Sequence, residues 1–230
     1  MKKLSQVMVC AAAVATTGMS SVALAESPLT SNVGMTSNYI WRGQTQANDE
    51  SAMSGGIDYA HDSGLYAGIW VSSIGGGNQY EQDLYVGFGG EAGPLSYDVS
   101  YVQYMYPVTD AVELDFAEVI VSLGYGPATL TIAPTVSKED STAQEDDMYM
   151  SLSAEFEVKK DLTLGVLYGV YDFDEAAGAT ATDDYNHYQI SLSKGDFVFA
   201  YDVKDPDDAD PAGTADAPRV SVSWSKSFDL

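Results

Sequence analysis

The stretch RVSVSWSKSFDL, residues 219–230, alternates between polar and apolar side chains. Its even-numbered positions are apolar, with Lys226 as the one exception. A period of two residues is typical of a β-strand that has one apolar face and one polar face. The segments 148–158 and 197–204 repeat the same alternation. The pattern therefore predicts an all-β fold.

Turn signals divide the chain after residue 25 into twelve such segments. The predicted strands are 31–42, 52–60, 65–73, 82–89, 95–106, 113–124, 128–137, 148–158, 162–173, 185–194, 197–204 and 219–230. Five short connections, at 61–64, 90–94, 125–127, 159–161 and 195–196, alternate with six long ones, at 43–51, 74–81, 107–112, 138–147, 174–184 and 205–218. Because the two kinds alternate, the long loops collect at one rim and the short turns at the other. Long outer loops and tight inner turns are the pattern of an outer-membrane β-barrel.

Charge follows the same division of the chain. The 230 residues contain 10 Lys+Arg and 34 Asp+Glu, a formal net charge of −24. By the boundaries above, the long connections hold 18 acidic residues and one basic residue, Lys138. This acidity argues against a nucleic-acid-binding protein, which needs basic patches to neutralise phosphates. The hydrophobic share of 45% excludes a disordered acidic chain, and the single Cys excludes a disulfide framework or a multi-Cys metal site.

The first 25 residues have the composition of a cleavable signal peptide. Lys2 and Lys3 precede an apolar run at 7–15, and Ala23-Leu24-Ala25 offers a cleavage site with small residues at its ends. The apolar run is too short to cross a bilayer as a helix. We therefore expect export, with residues 26–230 forming the mature domain.

A closed barrel satisfies the physical demands of a membrane. In hydrocarbon every backbone N–H and C=O must be paired, and a sheet achieves this only when it has no edge. The predicted strand lengths suit a tilted crossing of a bilayer. Aromatic residues near the strand ends suggest two girdles, with Tyr39, Trp41, Tyr104, Tyr106, Tyr185 and Tyr188 at one rim and Tyr97, Tyr125 and Phe228 at the other. The sequence thus predicts an antiparallel up-and-down transmembrane β-barrel; a soluble periplasmic β-sandwich is the alternative.

Two predicted strands change the phase of their apolar residues. In 95–106 the change follows Tyr101, and in 113–124 it follows Phe116. A bulge in each strand would reset the phase, and a misplaced boundary is an equal alternative. Pro134, within 128–137, also suggests a bulge because it cannot donate to the ladder.

If the apolar parity faces lipid, the opposite parity lines the interior. The charged residues predicted to line a pore are then Arg42, Asp58, Asp83, Asp98, Glu155, Glu157, Asp202 and Lys204. Six of these eight are acidic, which favours cations in a narrow, water-filled lumen. If the acids instead pair with Arg42, Lys204 and Arg219, the barrel would be plugged and would conduct little.

Enzymatic chemistry receives little support from the sequence. His61 lies in a predicted turn, and His187 lies near the outer end of 185–194, flanked by Tyr185 and Tyr188. A hydrolase at the lipid-facing rim would need a partner Ser for His187, and none is evident, so a girdle histidine is favoured. The acidic stretches 145–147 and 205–210 do not match a calcium-binding loop, and Gly75–Gly77 lacks the residues of a phosphate loop. We predict no catalytic residue, no cofactor and no metal site.

The N-terminal third of the mature chain carries a family resemblance. The stretch SNVGMTSNYIWRGQTQ, residues 31–46, resembles the opening motif of the TorF-type porins. Similar stretches follow at 55–59, 63–70, 83–90, 96–99 and 104–107. The resemblance implies an outer-membrane barrel but no particular solute and no catalytic residues. One departure is the final residue, Leu230, since such barrels commonly end in an aromatic residue, whereas Phe228 here lies two positions earlier.

These observations together predict an outer-membrane porin for ions or small solutes that prefers cations. Its expected partners are outer-membrane lipid and lipopolysaccharide, the permeating solutes, and the barrel-assembly machinery; its oligomeric state is left open. Two alternatives are a rim-site hydrolase and a non-conducting structural or adhesion barrel with acidic surface loops.

Overall fold

The computed structural model describes residues 28–75, 79–107, 114–138, 147–173, 184–205 and 217–230. The predicted signal peptide and most of the acidic stretches 145–147 and 205–210 lie outside these residues. The strands are β1 (Leu29–Thr36), β2 (Ile40–Trp41), β3 (Gln44–Thr45), β4 (Ala52–Ala60), β5 (Leu65–Ser73), β6 (Tyr80–Ala92), β7 (Leu95–Met105), β8 (Phe116–Tyr125), β9 (Ala128–Lys138), β10 (Met148–Lys159), β11 (Leu162–Asp172), β12 (Tyr185–Lys194), β13 (Phe197–Lys204) and β14 (Arg219–Asp229). Among the described residues, no helix is long and apolar enough to cross a membrane.

Twelve of these strands form one closed antiparallel barrel, which confirms the predicted fold. Neighbouring wall strands follow one another in the chain, and β1 closes the ring by pairing with both β4 and β14. Each wall strand therefore has a partner on both sides, so the backbone presents no open edge. β2 and β3 pair only with each other and stand apart from the wall.

The two ends of the barrel differ in their connections. At the end that we call the short-turn rim, tight turns use residues in the left-handed region, namely Gly64, Gly93, Gly126, Asp161 and Gly195. The described ends of the chain also meet there, since the backbone N–H of Leu230 donates to the carbonyl of Leu29. The opposite end, which we call the long-loop rim, carries the long connections.

Apolar side chains cover the outside of the barrel. Residues such as Leu84, Val86, Leu152, Ile190 and Val222 lie on the outward parity and are exposed over two-fifths or more of their surface. A protein surrounded by water rarely exposes so much contiguous apolar surface, whereas a barrel in hydrocarbon requires it. The alternation read from the sequence thus separates an apolar outer face from a polar inner face.

The predicted aromatic girdles are right at some positions and wrong at others. Tyr125, Phe228 and Tyr188 are exposed on the outer face, as expected. In contrast, Tyr39, Trp41, Tyr104 and Tyr185 belong to clusters inside the barrel. The prediction failed there because aromatic residues near strand ends are equally suited to packing inward against other rings.

The first predicted strand, 31–42, is also wrong at its end. The wall strand β1 stops at Thr36, and the chain then turns into the barrel rather than out of it. Residues 37–51, which we call the lumen hairpin, contain β2 and β3, and residues 38–47 of this hairpin lie within the barrel interior. The hairpin comprises the end of the predicted first strand and all of the predicted first long loop, 43–51.

Both phase changes are caused by apolar residues that face inward. β7 keeps an unbroken register with β6 and β8, so the expected bulge is absent; Val102 and Tyr104 are simply apolar residues on the inner face. Phe116 pairs with Tyr104 in the same unbroken ladder and packs against the inner cluster, so β8 also keeps its phase.

A bulge does occur in the neighbouring strand β9. The ladder between β8 and β9 shifts register between Ala117 and Glu118, and the extra residue, Val136, belongs to β9. Pro134 pairs with β10 and is skipped in the ladder to β8, where its missing N–H costs nothing.

Candidate functional site in the barrel lumen

The lumen hairpin enters from the long-loop rim and turns at Arg42 and Gly43. Both tip residues have positive φ, 49° and 80° respectively. A Cβ added to Gly43 would lie 2.7 Å from the Cβ of His187, so glycine is required where the tip meets β12. Tyr39 and Ile40, on the strand leading to the tip, are each only 1% exposed. Residues 38–47 of the hairpin are therefore buried or half-buried, whereas Ser37 and residues 48–51 are exposed.

Arg42 lies in a cage made of one carboxylate and three aromatic rings. Its Nη1 donates to Glu118 Oε1 at 2.7 Å and its Nη2 to Glu118 Oε2 at 2.6 Å. The guanidinium carbon lies 4.1 Å from the ring centres of Trp41 and Tyr149, and 5.1 Å from that of Tyr171. Paired hydrogen bonds combined with ring stacking suit a planar guanidinium and not a compact ammonium.

Electrostatics keeps the Arg42 guanidinium charged. Burial lowers the pKa of Arg42, but the adjacent Glu118 carboxylate raises it further, and the net effect is a pKa above the ordinary value. Tyr104 Oη also donates to Glu118 Oε2 at 3.2 Å, and Tyr185 Oη donates to the carbonyl of Arg42 at 3.0 Å. The cage thus satisfies most of the polar groups that it buries.

Further hydrogen bonds anchor the stem of the hairpin. Tyr39 Oη donates to Glu81 Oε1 on β6 at 2.8 Å. Burial, and then the charge of Glu81, raise the pKa of Tyr39, so that the phenol stays a donor across the physiological range. On the other side of the stem, Asp49 Oδ1 accepts hydrogen bonds from Arg219 Nε at 2.8 Å and from Asn38 Nδ2 at 2.7 Å. The hairpin is thereby bonded to opposite sides of the wall.

The hairpin closes the lumen at its own level. Inward side chains from all around the wall are buried there, namely Thr36, Ala52, Trp70, Asp83, Tyr104, Ile120, Ala133, Tyr149, Tyr171, His187, Asp202 and Ser221. These residues come from twelve different wall strands, one from each. Since a water-filled passage would leave its lining accessible, the described residues define a closed state of the barrel.

Below the hairpin, toward the short-turn rim, the inner wall carries further acidic residues, and we call this region the vestibule. Asp58 accepts hydrogen bonds from Tyr85 Oη and, at 3.0 Å, from Asn32 Nδ2. Asp98 accepts from Tyr66 Oη at 2.9 Å to each of its oxygens. The tyrosine rings fit because they lie over glycines of the neighbouring strands: an added Cβ at Gly68 would meet Tyr85, and one at Gly87 would meet Tyr66.

The structure distributes the eight predicted pore residues over both levels. Asp83, Asp98 and Asp202 are buried on the inner face, Asp58 and Lys204 are half-buried there, and Arg42 lies on the hairpin instead of on the wall. Lys204 Nζ lies 4.7 Å from the ring centre of Tyr185. Glu155 and Glu157 share the inward parity of Tyr149 and are exposed near the short-turn rim. Whether these residues line a conducting path stays a prediction.

Sequence reasoning missed two inward acids, Glu81 and Glu118. Glu81 lies in the predicted long connection 74–81, whereas β6 begins two residues earlier than predicted, at Tyr80. Glu118 follows Phe116, where the apolar residues of 113–124 change parity, so the sequence alone leaves its direction ambiguous. Val119, Val121 and Leu123 form the outward parity of this strand, and Glu118 has the opposite parity. This alternation is the signal that would have placed Glu118 on the inner face.

His187 is inside the barrel and not at its lipid-facing rim, so the girdle interpretation is wrong. It is 3% exposed, stacks on Tyr149, and its Nε2 lies 3.0 Å from Tyr149 Oη. Its Nδ1 has no hydrogen-bond partner among the described residues. A lipid-facing hydrolytic site would need this ring on the outer face, and the geometry of the described residues does not provide one.

The sequence of this chain matches one known protein family. Residues 22–223 match the Gcw_chp family, which is described as a bacterial protein of unknown function. The chain belongs to the Gcw_chp family. No curated protein matches it. The resemblance to the TorF-type porins stays a prediction.

Solved structures similar to this Gcw_chp protein include several porins. The KdgM porin has a TM-score of 0.55 at 7% identity, with 87% of this chain and 99% of that chain covered. The NanC porin has a TM-score of 0.52 at 11% identity, with 88% and 100% covered. A KdgM porin in complex with disordered oligogalacturonate has a TM-score of 0.53 at 6% identity, with 88% and 98% covered. At these identities the similarity establishes a shared fold.

Proposed function

We propose that this Gcw_chp protein is an outer-membrane channel for ions or small solutes that prefers cations, and that the lumen hairpin holds it closed. The observation that carries the proposal is the charge of the inner wall. Asp58, Glu81, Asp83, Asp98, Glu118 and Asp202 face inward, against Lys204 and Arg219 as wall bases. Carboxylates that line a low-dielectric lumen favour the entry of cations over anions.

An outer-membrane location is supported by the outer surface. The apolar outer face and the closed ring of strands match what a bilayer demands of a barrel. The fold that this chain shares with KdgM and NanC points the same way. Outer-membrane lipid, lipopolysaccharide and the barrel-assembly machinery remain the expected partners of that surface.

The solute is expected to differ from the one that appears with KdgM. Oligogalacturonate is a chain of uronic acids, and it is the molecule found in complex with that porin. A vestibule lined by Asp58, Asp98, Glu155 and Glu157 would repel such an anion. We therefore infer a small neutral or cationic solute for this chain.

A variant of the protein that lacks the lumen hairpin tests the proposal directly. Thr36 and Ala52 are opposed in the ladder of β1 and β4, so a two-residue Asn-Gly turn can replace residues 37–51. In planar bilayers we expect brief, rare openings from the wild type and a larger, sustained conductance from the variant. Heat-dependent migration on a gel shows that the variant is folded. A folded variant that does not conduct would contradict the proposal.

The buried hairpin also favours a second candidate, a structural barrel that never conducts. Its buried anchors, above all Arg42 with Glu118, are those of a permanent plug as well as of a gate. The same experiment separates the two, because a purely structural barrel has no continuous path through the vestibule. Silence of the folded, hairpin-free variant would support the structural barrel.

A further inference from the structure

We propose that the cage around Arg42 is a binding site for a guanidinium-bearing solute, and that Arg42 fills it from within while the channel is closed. This inference rests on the proposed channel function for its biological role. The binding chemistry itself comes from the contacts of the cage.

The part of the cage on the wall is complete without the hairpin. Glu118, Tyr149 and Tyr171 belong to β8, β10 and β11, whereas Trp41 and Arg42 belong to the hairpin. Withdrawal of the hairpin would therefore leave the Glu118 carboxylate beside the two wall rings that contact the guanidinium. A carboxylate that offers two acceptor oxygens beside aromatic faces selects a planar guanidinium, because that group donates in parallel and stacks.

A second acidic side chain, Asp83, is buried next to the site. Asp83 is 1% exposed, and neither of its oxygens has a hydrogen-bond partner among the described residues. It lies opposite Tyr104 in the ladder of β6 and β7, and Tyr104 in turn donates to Glu118. Asp83 also interacts electrostatically with both Glu81 and Glu118. A buried acidic side chain without a hydrogen-bond partner indicates a place for a further hydrogen-bond donor, such as a guanidinium N–H.

Binding of such a solute and insertion of the hairpin exclude each other. Both would place a guanidinium on the same two oxygens of Glu118. A solute that binds only when the hairpin is out must shift the equilibrium toward that state. The solute would thereby open its own channel.

Binding is tested with methylguanidinium chloride on the full chain in detergent, at constant ionic strength. We expect saturable binding to Arg42→Ala, seen as a change in tryptophan fluorescence and a rise in thermal midpoint. Adding Glu118→Gln should weaken this binding about tenfold or more, since the paired hydrogen bonds are lost. Lys226→Ala is the matched control, because it removes a basic residue from an exposed pair with Asp196 and creates no cage.

If Arg42→Ala does not fold, a second variant allows the same inference to be tested. Arg42→Lys keeps the charge, but an ammonium cannot make two parallel bonds to Glu118. Methylguanidinium should displace it, and open the channel, at concentrations about tenfold below those needed for the wild type. Methylammonium should be the weaker ligand in both variants.

Two results would overturn the inference: a folded Arg42→Ala protein that does not bind methylguanidinium, or binding that Glu118→Gln leaves unchanged. Because binding is measured without a bilayer, its failure is distinct from failure of the channel. A protein that binds but never conducts would reject the channel function, whereas one that conducts without binding would reject the site.

Discussion

At the scale of single residues, Arg42 shows how one side chain can decide the state of a whole lumen. Its guanidinium donates two hydrogen bonds to the carboxylate of Glu118 on the wall. Among the described residues, no other inward guanidinium binds a wall carboxylate in this bidentate way. Both partners are almost completely buried. Buried ion pairs contribute little net stability relative to apolar replacements, but losing one partner strands the other charge. The pair is therefore better suited to fixing a geometry than to stabilising the barrel.

The first prediction concerns that stranded charge. Glu118→Gln should lower the free energy of unfolding by about 3–5 kcal/mol, because Arg42 then remains buried without a counter-charge. Urea unfolding in detergent micelles measures the change. The exposed pair of Lys226 and Asp196 provides the control, and Lys226→Ala should leave the unfolding curve unchanged. An unaltered curve for Glu118→Gln would show that the hairpin does not hold Arg42 in the cage.

A second residue-scale prediction concerns the tyrosines of the vestibule. Gly87→Ala would place a methyl group against the ring of Tyr66, which donates to Asp98. Overpacking of this kind costs about 1–3 kcal/mol. In a Tyr66→Ala background the same substitution should cost almost nothing, and the double-mutant cycle in urea measures the difference. Equal costs in both backgrounds would mean that the ring does not lie over the glycine.

At the scale of elements, the alternation of polar and apolar residues predicts the strands of the barrel wall but does not predict the lumen hairpin. Strands 52–60, 65–73, 185–194 and 197–204 begin and end where they were predicted to. Each has a clear outer face and sharp turns, and these are local properties. In residues 37–42 the sequence remains rich in aromatic groups, and local pattern does not distinguish a ring that faces lipid from one that packs inside the barrel.

The inward apolar residues carried the missing information. Val102 and Tyr104 changed parity without a bulge, and they pack with the cluster that also contains Trp41. An apolar patch on the inner face implies something apolar inside the barrel to cover it. The partner of that patch is distant in sequence, so no single-strand rule could name the segment that fills the lumen.

The element-scale prediction tests which face of β10 meets lipid. Leu152 is outward and exposed, so Leu152→Lys should destabilise the inserted barrel by about 2–4 kcal/mol near mid-membrane. Ser153, its inward neighbour, should accept lysine with little loss of stability because it faces the vestibule. Folding yield into lipid vesicles measures both variants. The reverse ranking would mean that the barrel faces are assigned the wrong way round.

At the scale of the whole molecule, the two levels of the barrel differ in how some of their acids are partnered. At the hairpin level, Glu118 forms an ion pair with Arg42. In the vestibule, Asp58 and Asp98 accept hydrogen bonds from tyrosine and asparagine side chains instead. Hydrogen bonds from neutral donors stabilise a carboxylate without cancelling its charge, so we expect the vestibule to raise the local concentration of cations.

Cation preference is tested most directly by the reversal potential of the hairpin-free channel across a potassium chloride gradient. We predict a clear preference for potassium, which should fall toward equal permeability when Asp58→Asn and Asp98→Asn are introduced together. Asp161→Asn, in an exposed turn, is the matched control and should leave the potential unchanged. A preference for chloride, or a potential indifferent to both vestibule carboxylates, would contradict this prediction.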